Sequence, residues 1–102
     1  MKAGGEMVIV TPLHEHFNPA HLDHVIAEMK RRGPPVLRGT FDVHSGAWLM
    51  REGTHRLRAA KALGLAPVIV PVPWRKTRAA LERARFAAIQ RGHVFARIEV
   101  RS

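Results

Sequence analysis

Residues 50–64, MREGTHRLRAAKALG, bring together the residue types that can hold an anion. Gly53 lets a ligand come close to the backbone. Thr54 offers a hydroxyl, and His55 and Arg56 add side-chain donors at the start of a helical pattern. The first amides of a helix have no partner inside it, and the helix dipole places roughly half a positive charge there. A strand, a glycine turn and a helix N-terminus in that order form a phosphate-type cradle. Arg58 and Lys61, one turn further on, strengthen the field. The same residues also fit a plainer arrangement, with Thr54 as an N-cap and the cations in solvent. A Gly-x-His-Arg turn is less specific than a complete phosphate-binding loop, so spacing alone leaves both arrangements open.

Other reactive side chains give weaker patterns. His14-x-His16 with His21 and His24 has ligand-like spacing on a loop and a helix start. No third-ligand motif accompanies it, so a polar, histidine-rich loop is the expectation and no metal site is assigned. His44 and His93 carry no signal. No cluster of acidic residues points to a two-metal nuclease. The chain has no cysteine. That excludes disulfides, thiolate metal sites and cysteine nucleophiles, and fits a reducing, cytoplasmic setting.

The elements that must position these groups follow from periodicity and punctuation. EMVIVTP, residues 6–12, predicts a short buried strand stopped by Pro12. Asn18-Pro19 is a helix start, with Asn as the cap and Pro at the first helical position. Leu22, Val25, Ile26 and Met29 then give an apolar face. Lys30, Arg31 and Arg32 suit the negative end of that helix, and Gly33-Pro34 stops it. VLRGTFDV and AWLM predict two strands joined by His44-Ser45-Gly46. Thr54 to Leu63 is a helix closed by Gly64, and PVIVPV, residues 67–72, is a continuous buried strand. WRKTRAALERARFAAIQRG predicts a second basic helix with Leu81, Ala84, Ala88 and Ile89 toward the core. HVFARIEV alternates and is expected as one edge strand. The order β-α-β-β-α-β-α-β specifies a small single α/β (α+β) domain with a mixed sheet and three helices.

Composition sets the outer limits. The 102 residues suffice for one domain, and no apolar run approaches the ~18 needed to cross a membrane. The 17 Lys and Arg against 8 Asp and Glu give a formal net charge of +9, and 13 of the 17 are arginine. Such a surface attracts nucleotide phosphates, nucleic acid backbone or an acidic protein. Arg75, Lys76, Arg78, Arg83, Arg85 and Arg91 could contact phosphates of nucleic acid. Arg75, Arg78, Arg85 and Glu82 could instead form a solvated face. Trp48 and Trp74 are expected to pack rather than to stack on bases.

REGTHRLRAAKALGLAPVIVPV resembles the signature of the ParB/sulfiredoxin superfamily. There a strand leads into a Gly-x-(His/Arg)-Arg turn, an Arg- and Ala-rich helix, a Leu-Gly stop and a closing apolar strand. MVIVTPL resembles the family's first strand, and HLDHVIAEMKRRGPPVLRG its first helix and following strand. The likeness covers about residues 6–73, and 74–102 add a helix and an edge strand. It implies a nucleotide-binding protein, with Gly53, Thr54, His55 and Arg56 as the phosphate cradle and ATP, ADP or CTP with Mg²⁺ as ligand. The face His21, His24 and Glu28 matches the helix that meets the nucleotide in sulfiredoxin, where Lys, Ser and Thr stand. Sulfiredoxin's catalytic cysteine is matched by Thr54, so sulfinic acid reduction is excluded.

PLHEHF is similar to a loop of the superfamily's free serine kinases. By that likeness Glu15 is the general base of a phosphotransferase or nucleotidase. Those kinases have a second histidine where Thr54 stands, and a substrate-binding region with no counterpart here. ParB proteins carry a helix-turn-helix domain that also has no counterpart. The competing expectation is therefore a non-catalytic DNA- or nucleotide-binding accessory protein.

Overall fold

A computed structural model of the protein describes residues 8–11, 18–51 and 53–101. The elements are β1 (Val8–Thr11), α1 (Pro19–Arg32), β2 (Val36–Asp42), β3 (Ala47–Met50), α2 (Thr54–Leu63), β4 (Val68–Pro71), α3 (Arg78–Arg91), β5 (His93–Phe95) and β6 (Glu99–Val100). Local chemistry accounts for the helix ends. The Asn18 side chain accepts the His21 N–H at 3.1 Å, and Pro19 opens α1 at no cost in hydrogen bonds. Gly33 ends α1 and passes its own N–H to the Met29 carbonyl. Gly64 closes α2 in a left-handed conformation (φ 68°).

The six strands form one mixed sheet in the order β5-β1-β3-β2-β4-β6. β1/β3, β2/β4 and β4/β6 are parallel, whereas β2/β3 and β1/β5 are antiparallel. Alternation along β2 and β3 divides the side chains between two faces. Leu37, Met50, Leu57 and Ile69 join Val10 under α1 and α2. Ala47, Leu49 and Ala88 form the second layer under α3, with Ile9, Trp74, Leu81 and Ala84 packed around them. Each fully buried Leu or Ile stabilises the fold by roughly 1.5–3 kcal/mol relative to an exposed one. The radius of gyration, 13.3 Å, is that of one compact unit of this length.

The C-terminal stretch departs from the expected single edge strand. HVFARIEV is broken at 96–98, and its halves border opposite edges: β5 pairs with β1, and β6 pairs with β4. A flat sheet of six strands would separate its edge strands by roughly 24 Å, at about 4.8 Å per spacing. Four residue steps from Phe95 to Glu99 reach at most ~14 Å. The sheet therefore curls into a half-barrel whose open side is spanned by 96–98. α3 also differs, beginning at Arg78 rather than Trp74. Thr77 is its cap, accepting the Ala80 N–H at 3.1 Å, and the Trp74 indole N–H donates to the Thr77 carbonyl at 3.2 Å. Ile89, expected inward, is 74% exposed.

Candidate anion site at the start of helix α2

Helix α2 opens without a side-chain cap. Its N-cap is Gly53, at φ 96° and ψ 27°, and Thr54 is the first helical residue. The capped-helix arrangement with Thr54 as N-cap is thereby corrected: the cap position falls one residue earlier, on a residue that has no side chain to donate or accept. Two constraints make Gly53 specific. Its left-handed backbone disfavours any Cβ, and a Cβ there would lie 2.8 Å from a Leu37 methyl in the fully buried core. The turn is thus pressed onto β2. Neither α1 nor α2 has an acidic residue in its first turn.

The N-termini of α1 and α2 meet. The Asn18 backbone N–H donates to His55 Nε2 at 2.9 Å, across 37 residues of sequence. The rings of His21 and His55 contact edge to face, with centroids 4.7 Å apart and planes at 86°. Because Nε2 accepts, neutral His55 carries its proton on Nδ1, an assignment made from the hydrogen bond. An imidazolium has no acceptor, so charging His55 would break the tie between the helices. Two positive helix ends and two imidazoles thus converge on one place.

The remaining candidates divide around this pair. Arg56 and Glu28 line an adjoining cavity of about 220 Å³ beside the C-terminal half of α1, floored by Val25 and Met29. The Glu28 carboxylate is engaged by Arg31 at 2.6 Å and by Arg32 at 3.0 Å. Any contact of Glu28 with a ligand must compete with those two guanidinium groups. His24 is exposed, and among the described residues it makes no hydrogen bond or ion pair with either group. Glu15, His14, His16 and Glu52 lie outside the described residues. Among the described residues no group of three or more His, Asp or Glu could hold a metal ion, and no helix is long and apolar enough to cross a membrane.

No family model, curated protein or solved structure matches the chain.

Sequence reasoning missed two contacts. The bond from Asn18 to His55 uses a backbone donor, which no side-chain pattern signals. Arg85, expected on a solvated helix face, instead clasps buried Asp42, with Nε at 3.0 and 3.1 Å from its two oxygens. Arg78 keeps the expected exposed pairing, with Glu82 at 3.8 Å.

Proposed function

We propose that the protein binds a nucleotide, with the phosphates at the Gly53–Arg56 turn. The observation that carries this reading is the convergence of the α1 and α2 N-termini at His55, beside a left-handed, side-chain-free cap. Backbone amides and two dipoles of one sign suit a polyanion more than a neutral ligand. Arg56 and the adjoining 220 Å³ cavity leave room beside the turn for part of a nucleoside. The resemblance to the ParB/sulfiredoxin superfamily supports the same assignment. Mg²⁺ would arrive bound to the phosphates and neutralise part of their charge. On the phosphotransferase reading, Glu15 takes the proton of an acceptor hydroxyl.

The test is a calorimetric titration of ATP, ADP and CTP, each with Mg²⁺, into wild type, His55→Ala and Arg56→Ala. Binding by wild type, weakened roughly tenfold or more in each variant, is expected from the loss of a bond to a charged group. No binding of any of the three, or equal binding by both variants, would overturn the cradle. Nucleotide turnover that survives Glu15→Ala would remove Glu15 as the base. A second reading, the DNA-binding accessory protein, draws on the exposed cations Arg75, Lys76, Arg78 and Arg83 along the start of α3. It predicts DNA affinity that falls steeply with salt, whether or not nucleotides bind.

A further inference from the structure

A second group of cations stands on the opposite face of the sheet. Arg51 follows β3 and keeps the ladder going, its N–H donating to the Arg38 carbonyl at 3.0 Å. On the other flank of β2, Val72 extends β4 by donating to the Gly39 carbonyl at 2.9 Å, and Pro73 to Lys76 follow. Both segments are therefore held to the same central strand, about two strand spacings or roughly 10 Å apart. Alternation along β3 places Arg51 on the face of Leu49 and α3, away from Gly53 and Leu37. Arg51, Arg75 and Lys76 line one small cavity together with Thr40 and Trp74.

We infer that this cavity is a binding site for a single tetrahedral oxyanion of the phosphate type. Its volume is about 60 Å³. At roughly 30 Å³ per water that is room for about two waters or one small oxyanion, and too little for a nucleoside. Among the described residues none of the three cations forms an ion pair, in contrast with Arg31, Arg32, Arg78, Arg85 and Arg101. Three like charges around one opening repel one another until an anion enters. Lys76 is followed by Thr77, the cap of α3, and that helix has no acidic residue in its first turn to compete for the three cations. The Thr40 hydroxyl, bonded to the Val72 carbonyl at 2.6 Å, and the Trp74 indole, bonded to Thr77, fix the wall. Two forked guanidinium groups on opposite sides can grip different oxygens of one anion.

The experiment follows the backbone amides of Arg51 and Lys76 and the Trp74 indole N–H by ¹H–¹⁵N NMR. Sodium phosphate is titrated against sodium chloride at matched ionic strength, in wild type, Arg51→Ala, Arg75→Gln and Arg56→Ala. The expected result is a saturable shift of these three signals with phosphate alone, weakened roughly threefold to tenfold in Arg51→Ala and Arg75→Gln. Arg56→Ala should match wild type, because its side chain lies on the other face; this separates the site from the α2 cradle. A dinucleotide with one phosphodiester forms a second arm. Tighter binding than phosphate assigns the source to nucleic acid backbone, and weaker binding assigns it to a free phosphate or phosphomonoester. Shifts that chloride reproduces, or that persist unchanged in Arg51→Ala and Arg75→Gln, overturn the site. Both substitutions are at exposed positions, so the fold survives them.

Discussion

At the scale of single residues, Gly53 carries two constraints at once, a left-handed backbone and a close neighbour. Gly53→Ala should destabilise the protein by about 2–3 kcal/mol, combining a left-handed backbone with overlap onto fully buried Leu37. Gly64→Ala, equally left-handed but with open space at its Cβ, should cost only about 1 kcal/mol. Urea denaturation of both variants checks this, and equal losses would show that contact with Leu37 adds nothing. The type of residue was legible in sequence, since a glycine between a strand and a helix asks for such a conformation. Its packing against Leu37 was not, because that depends on β2 lying beneath the turn. His55 teaches the same lesson: its place in the turn was visible, while its acceptor role depends on a main-chain donor 37 residues away.

Among the elements, α2 was legible to the residue, its Thr54–Leu63 span being bounded by two glycines. α3 was less so. Its apolar positions Leu81, Ala84 and Ala88 were read rightly, but Ile89 sits about 80° round the helix from Leu81 and falls outside the stripe. Its true start depends on Thr77, which caps in preference to the earlier tryptophan. The tie from α3 to the β2–β3 turn runs through Asp42. Its burial raises the carboxyl pKa, but hydrogen bonds from the Ser45 hydroxyl at 2.7 Å and amide at 3.0 Å, with the Arg85 guanidinium, outweigh this and hold it below the usual value. A carboxylate lowered on folding contributes stability that is complete above its unfolded pKa of about 3.9 and is lost as pH falls through the folded value. Stability should therefore drop below roughly pH 4, and Asp42→Asn should flatten that acid limb in pH-dependent melts. Asp42→Ala, which leaves Arg85 without its partner, should cost on the order of 2 kcal/mol at pH 7.

For the molecule as a whole, the mixed sheet and the three helices followed from element order, whereas the curl did not. Alternation in HVFARIEV says that the stretch is extended, and nothing local says that its halves meet different neighbours. Between those halves, Ile98 packs on the core under α1 and α2. Ile98→Ala should therefore speed amide exchange on both edges together, at the β5 amides bonded to β1 and at Glu99 and Arg101 beside β4. Faster exchange on one edge alone would mean that 96–98 does not couple them. Both edge strands are short, three and two residues, which limits pairing with other chains. The bridging of the two edges also bears on how the protein is made. β1 waits for a partner that lies some 85 positions later, Val8 finding Phe95, and β4 waits for Glu99. During synthesis neither flank of the sheet can be finished until residues 93–101 have emerged, and both are then completed within a few residues of one another. Folding should consequently end in a single late closure governed by long-range contacts, with the inner strands bordered by solvent until then.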